Sequence, residues 1–235
     1  MKLLILAGGF GTRLKSAVSD VPKALAPVGN VPFLQLQLEH WLSQGLSDFS
    51  FLLHHQADQI IDFLDTQSHD HLSACNLDWL IEPIPMDTGG AIANAVQQLN
   101  LSGDFLVINA DTWLGGGIGD VMKSVSPAIA VVNRPNVSRY GKVYFDERNC
   151  VKAFWEKSNL KSSGWINAGL CLLSAEIFHG WNGQPFSLEN DIFISLMNQN
   201  MLASVPLKVD FIDIGVPADY LRFCSWVQSG RTTQL

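Results

Sequence analysis

Leu3-Leu4-Ile5-Leu6-Ala7-Gly8-Gly9-Phe10-Gly11-Thr12-Arg13-Leu14, with Pro22-Lys23 close behind, decides the fold. The apolar run Leu3 to Ala7 reads as a buried strand of the kind found in parallel sheets. It empties into a loop of three glycines, a threonine and an arginine, and Lys23 follows. Glycines let backbone N–H groups approach a ligand closely, and cations beside them suit a polyphosphate. Open α/β sheets place nucleotides at the carboxyl end of such a strand. The loop is a nucleotide site, of a kind still to be decided.

Spacing removes two familiar phosphate loops. No Gly-x4-Gly-Lys-Ser/Thr occurs, so this is not a P-loop. The dinucleotide fingerprint needs a third glycine where Leu14 stands, and no acidic residue follows at the usual distance. A tight strand-to-helix turn would explain the glycines alone. It would not explain Arg13 and Lys23 beside them.

At 235 residues the chain is long enough for one sizeable α/β domain or two small ones. Apolar residues make up 47% and charged residues 16%, which supplies a core. A net charge of −7 argues against nucleic acid and membrane surfaces, since both reward a basic face. Cys75, Cys150, Cys171 and Cys224 form no C-x-x-C pair and read as reduced thiols of a cytoplasmic protein. The first apolar run is too short for a signal peptide, and no apolar stretch approaches the length of about 18 residues that a membrane helix needs.

Strand and helix patterns alternate through the first half. Strands are expected at Phe49 to Leu53, Leu77 to Ile81 and Phe105 to Asn109. Helices are expected from Pro32 to Gly45, over Ala57 to Leu64 and over Thr88 to Leu99. That order implies a three-layer sandwich about a parallel sheet. The second half reads as strands at Ala128 to Val132, Lys142 to Phe145, Val151 to Phe154 and Trp165 to Leu173. Helices follow at Leu188 to Asn200 and Pro217 to Val227, around a strand running into Asp213. No linker composition separates the halves, so the reading is one domain, 1–235. Residues 1–112 are mainly the nucleotide half and 113–235 mainly the sugar-phosphate half.

The L-A-G-G-F-G-T-R-L run, then P-K, T-G-G-A, N-A-D-T, R-Y-G, E-K, I-N-A-G and D-I-G-V-P, resembles the sugar-1-phosphate nucleotidylyltransferases in the family's own order. The pieces V-S-D-V-P-K-A-L-A-P-V, W-I-N-A-G, F-S-L-E and F-I-D-I-G-V-P-A-D-Y look most like its bacterial heptose-1-phosphate guanylyltransferases. The resemblance implies a Rossmann-like α/β/α sandwich with a mixed, mainly parallel sheet. It also implies magnesium-dependent joining of a nucleoside triphosphate to a sugar 1-phosphate, with release of pyrophosphate. GDP-heptose for cell-surface polysaccharide is the product it favours. The implied partners are the two substrates, with no nucleic acid or membrane and with a homodimer left open.

The chemistry of the residues agrees. A sugar phosphate is already ionised at neutral pH, its second pKa being about 6, so no general base is required. The reaction needs charge neutralisation between two anions and an in-line arrangement. Arg13 and Lys23 suit the triphosphate, a forked guanidinium beside a point-charge ammonium. The resemblance places Lys23 at the α-phosphate and extends nucleotide contacts over Leu6, Ala7, Gly8, Gly9, Gly11, Thr12 and Asn109. Asp111 and Asp213, each at a strand end, are the implied Mg²⁺ carboxylates. As an alternative, each caps a local turn.

By the same resemblance Lys157 holds the sugar phosphate and Glu156 the ring hydroxyls, although an adjacent pair of opposite charges usually lies on a solvated face. Asn167, Gly169, Tyr140 and Gly141 line the sugar pocket, with Trp165 and Trp113 nearby. Glu82, Asp87, Thr88 and Gly89 reach the base and ribose. A carboxylate at Glu82 or Asp87 matches the donor edge of guanine, and it matches uracil N3–H or ribose equally. Many members of that family carry glycine, or sometimes glutamate, where Asp87 stands. Ala24 and Ala110 replace a frequent proline and glycine. His54-His55 and His69-Asp70-His71 lack a partner cluster for zinc and read as a strand end and a loop. Two alternatives stay open: uridylyl transfer to N-acetylmuramic acid 1-phosphate or another hexose 1-phosphate, and a non-catalytic nucleotide-sugar-sensing subunit.

Overall fold

Leu3, Leu4 and Ile5 are fully buried, so the first strand has no solvent face and reads as the apolar run predicts. The computed structural model describes residues 1–69, 72–155 and 162–231. In chain order the first half runs β1 (Leu3–Leu6), β2 (Pro27–Val28), β3 (Val31–Pro32), α1 (Phe33–Ser43), β4 (Asp48–Leu53), α2 (Ala57–Ser68), β5 (Asn76–Ile81), α3 (Asp87–Gln98), β6 (Asp104–Asn109) and β7 (Thr112–Leu114). The second half runs α4 (Ile118–Met122), β8 (Ala128–Arg134), β9 (Lys142–Phe145), β10 (Val151–Trp155), β11 (Gly164–Ser174), α5 (Ile194–Asn198), β12 (Ala203–Leu207), β13 (Phe211–Asp213) and α6 (Pro217–Gln228). The expected α/β class with a mixed, mainly parallel sheet and flanking helices is borne out.

The chain divides into two compact units. The first comprises Met1–Pro85, Ile108–Gly116 and Asp210–Leu235, and the second comprises Met86–Val107 and Gly117–Val209. In the first, β1, β4 and β5 pair in parallel, with Leu3 opposite Phe49 and Phe49 opposite Leu77. A short ribbon, β7 against β13, pairs Thr112 with Asp213 and Leu114 with Phe211. Beneath it lies a cluster of Leu14, Phe33, Leu36, Trp113, Ile212, Ile214, Tyr220, Phe223 and Trp226. Aromatic rings dominate this core: Phe33 meets Phe223 edge-on at 5.0 Å, and Trp113 meets Trp226 at 5.9 Å. Leu14 comes from the glycine loop itself, so the loop is nailed to the core one residue beyond Arg13.

In the second unit β11 pairs antiparallel with β8 and β9, β9 with β10, and β12 runs parallel to β8. The strand β12 departs from the sequence reading, which has no strand there. Its Pro206 lowers the strand signal, yet β12 pairs on one side with β8, where proline is tolerated. The expected helix over Leu188 to Asn200 is a π-helical turn, Leu188–Phe193, running into α5.

Candidate active site

Arg13, Lys23 and Asp213 of the first unit converge on one buried glycine, Gly215. A Cβ placed on Gly215 would lie 2.6 Å from Asp213 Oδ1 and 3.5 Å from both Arg13 Nη2 and Lys23 Nζ. Lys23 Nζ in turn donates to Asp111 Oδ2. The two cations and two carboxylates read from the sequence therefore form one cluster. Lys23 opens a short 3₁₀ turn held by Leu25 N–H to Pro22 O at 2.8 Å. Ala24, in the middle of that turn, is buried.

Asp111 and Asp213 are brought together by the β7–β13 ribbon. Ile214 N–H donates to Asp111 O at 2.9 Å, so the backbone of Asp111 is hydrogen-bonded to the neighbour of Asp213. Asp213 Oδ1 also accepts the Gly215 amide at 2.6 Å, which is the turn-capping bond expected as its alternative role. Two carboxylates fit the one or two that Mg²⁺ takes alongside phosphate oxygens and waters. Among the described residues no group of three or more His, Cys, Asp or Glu gathers, so no all-protein cage is built for another metal.

The loop lies open above this cluster. Gly9, Phe10, Gly11, Lys15, Pro22, Lys23 and His55 line a cleft of the first unit. Gly9, Thr12 and Arg13 are exposed, Leu6 and Asn109 are half-buried at their strand ends, and Ala7 is buried with its amide on Leu52 O at 2.9 Å. Gly11 has φ +60°, the left-handed region glycine enters without strain. Gly8 packs on Glu82, expected at the base: an added Cβ would sit 3.3 Å from Glu82 Oε1 and 3.1 Å from His54 Cβ. Glu82 is only 8% exposed. His54 Nδ1 hydrogen-bonds to Glu82 O at 3.0 Å, a strand-end role as expected. Asp70 and His71 lie outside the described residues.

In the second unit the start of α3 is already occupied. Asp87 has φ +58°, the left-handed region where glycine or a short polar residue is at home. Its Oδ1 accepts the Thr88 amide at 2.7 Å. The next two amides, Gly89 and Gly90, both go to Phe186 O. The Phe186 ring would stand 2.2 Å from a Cβ on Gly89, so that position admits glycine alone. Thr88 Oγ1 donates to Glu189 Oε2 at 2.8 Å and accepts the Leu188 amide at 2.9 Å. This Phe186–Glu189 strap is a structural partner of the T-G-G motif that sequence reading did not assign.

The sugar-side residues split. Asn167 and Gly169 form a bulge in β11, with Gly169 at φ +73° and its amide on Asn167 Oδ1 at 3.0 Å. Trp165 lines a cleft of about 190 Å³ with Lys142, Tyr144, Phe145 and Gly164. Tyr140 and Gly141 are half-buried, and the Arg139 guanidinium lies 5.4 Å from the Tyr140 ring. Glu156 and Lys157 lie outside the described residues. Trp113 does not line a sugar pocket: at 2% exposure it belongs to the aromatic core of the first unit.

A glycine loop at a strand end, two cations and two ribbon-held carboxylates are the groups expected of a nucleotide site that works on phosphates. The chain belongs to the nucleotidyl transferase family, whose model matches residues 2–229. It is 33% identical over 226 residues to the D-glycero-alpha-D-manno-heptose 1-phosphate guanylyltransferase of Campylobacter jejuni, covering 95% of this chain and 98% of that protein. It is 30% identical to the mannose-1-phosphate guanylyltransferase catalytic subunit beta of Drosophila pseudoobscura, over 99% of this chain but 64% of that longer protein. Among solved structures, HddC from Yersinia pseudotuberculosis complexed with GMP-PN superposes with a TM-score of 0.82 at 33% identity, covering 96% and 99% of the two chains. The chain is thus a nucleotidyltransferase with a Rossmann-like fold. No helix of the described residues is long and apolar enough to cross a membrane.

Proposed function

We propose that this enzyme transfers GMP from GTP to a manno-configured sugar 1-phosphate, a manno-heptose 1-phosphate ahead of mannose 1-phosphate, releasing pyrophosphate. The observation that carries the reading is the convergence of Arg13, Lys23 and Asp213 on the space at Gly215, with Asp111 held to Lys23. Two guanylyltransferase relatives, one of nearly the same length, support guanine and the manno configuration.

A phosphate oxygen of the sugar 1-phosphate attacks the α-phosphorus of GTP, the bond from that phosphorus to the β-bridging oxygen breaks, and pyrophosphate leaves. No proton is removed from the nucleophile, which is ionised already. Arg13 and Lys23 lower the repulsion between the two anions, and the loop amides of Gly8 to Gly11 orient the triphosphate. Asp111 and Asp213 would hold Mg²⁺, which when bound screens charge and orients the α-phosphate. Glu82, buried beside Gly8, accepts from the guanine N1–H and N2–H₂ edge. Lys157 takes the sugar phosphate.

Pyrophosphate release from each of four nucleoside triphosphates, against heptose, mannose and N-acetylmuramic acid 1-phosphates, tests this. Turnover with GTP and the manno-configured acceptors is the expected result. Robust turnover with UTP and none with GTP would overturn it.

A further inference from the structure

Helix α1 buries Phe33, Leu34, Leu36, Leu38 and Trp41, and among them sits an amide, Gln37, only 1% exposed. Its Oε1 has no hydrogen-bond partner, an expensive arrangement for a buried amide. Its Nε2 makes one bond, to the carbonyl of Thr112 at 2.8 Å. Thr112 is the residue after Asp111. One helical turn on, His40 Nε2 donates to the carbonyl of Leu114 at 3.0 Å.

These two bonds form a pattern. Along β7, Asp111 O accepts from Ile214 and Gly115 N–H donates to Asp210 O at 2.7 Å, so the odd-numbered residues face β13. Thr112 and Leu114 alternate with them, and their carbonyls point to the opposite edge. No strand of the described residues covers that edge; the Gln37 and His40 side chains take its place. The peptide carrying Asp111 is thereby gripped from both sides, by β13 and by α1.

We propose that Gln37 is a positioning residue for the metal carboxylates. By fixing the Thr112 carbonyl it sets the end of β7, hence the aim of Asp111, and through the Ile214–Asp111 bond the strand end that carries Asp213. The inference rests on the reading of Asp111 and Asp213 as Mg²⁺ carboxylates.

Gln37→Met tests it, because methionine keeps the length and apolar fit and deletes the N–H donor. His40→Phe is the comparison: it deletes the equivalent bond at the far end of β7 and keeps a ring on Trp113, which His40 stacks at 4.6 Å. Mn²⁺ affinity is read by water-proton relaxation with GTP present and no acceptor, beside kcat, KM for GTP and the melting temperature. Groups that orient a metal's ligands typically change affinity or activity about 10-fold or more when removed, and that is the loss expected in Mn²⁺ affinity and in kcat for Gln37→Met. KM for GTP stays near the parent value, and His40→Phe lowers the melting temperature with Mn²⁺ affinity and kcat near the parent's.

A folded Gln37→Met protein with the parent's Mn²⁺ affinity and kcat would overturn the proposal, as would equal losses in both variants. If Gln37→Met does not fold, Gln37→Asn, which draws the amide back by one methylene, is held to the same expectation. A parent that takes up Mn²⁺ yet leaves GTP intact with every sugar 1-phosphate would sink the guanylyl reading alone. The Mn²⁺ affinities would still decide the role of Gln37.

Discussion

Gly215→Ala is the smallest change that enters the proposed reaction centre. The methyl carbon would stand 2.6 Å from Asp213 Oδ1, a distance real Cβ atoms do not tolerate, so the carboxylate must retreat by nearly 1 Å. Its backbone cannot follow, because Ile212 and Ile214 on either side are fully buried. The side chain therefore rotates and gives up the Gly215 amide at 2.6 Å. A hydrogen bond to a charged group contributes about 1.5–3 kcal/mol, and a misplacement of about 1 Å at a reacting centre costs on the order of 10²-fold. The expectation is a kcat about 10²-fold below the parent, equivalent to about 2.7 kcal/mol of barrier. Arg13 and Lys23, at 3.5 Å, meet the methyl at ordinary contact distance and stay in place, so KM for GTP changes far less. Gly215 lies outside the left-handed region, so the backbone accepts alanine and the protein stays folded, while the lost hydrogen bond lowers the melting temperature by several degrees. Steady-state pyrophosphate release with a thermal melt measures both. A folded variant within about threefold of the parent kcat would refute the reasoning, since 1 Å at Asp213 would then be immaterial.

Lys23→Ala removes the cation paired with Asp111 and proposed to meet the α-phosphate, and kcat should fall by about 10²–10³, the usual effect of deleting one preorganised charge-stabilising group. A near-parent rate would take Lys23 out of the mechanism. Gly89→Ala pushes a methyl into the Phe186 ring and should destabilise by about 1–3 kcal/mol, read as a lowered denaturant midpoint; an unchanged midpoint would mean the strap moves freely. His40 is half-buried, and that desolvation lowers its pKa; the Leu114 carbonyl opposes the shift and the Arg231 cation lowers it further, leaving it below the ordinary histidine value. The unfolded chain then takes up a proton that the folded one refuses, so stability is intact above pH 6.5 and is lost as pH falls below it. Melting temperatures down the acid side should show that slope and show it reduced in His40→Phe.

What could be read in the sequence was what is local. The strand before Gly8, the glycines, Arg13 and Lys23 carry their chemistry within a short window, and Leu14 completes it by anchoring the loop. Asp111 and Asp213 could be picked as strand-end carboxylates, but the ribbon that unites them is three residues a strand, too short for an alternation pattern. Gln37 was invisible because a polar residue between Leu36 and Leu38 reads as the outer face of an amphipathic helix. Gly215, the glycine of D-I-G-V-P, carries no signal of its own in the sequence, since the space it leaves matters only once Asp213 folds back over it. The strap on Thr88 comes from Glu189, far along the chain, and its F-S-L-E run signals nothing by spacing. Asp87 was read for its carboxylate, whereas its backbone angle states why glycine serves there too.

The central claim is attack at the α-phosphorus of GTP, and phosphorus NMR of the reaction mixture tests it most directly. With GTP, a manno-heptose 1-phosphate and Mg²⁺, the account predicts that the triphosphate signals give way to pyrophosphate and to the two coupled phosphorus signals of a nucleoside diphosphate sugar, in equal amounts. Conversion to GDP and inorganic phosphate, or an unchanged spectrum beside rapid consumption of UTP, would contradict it.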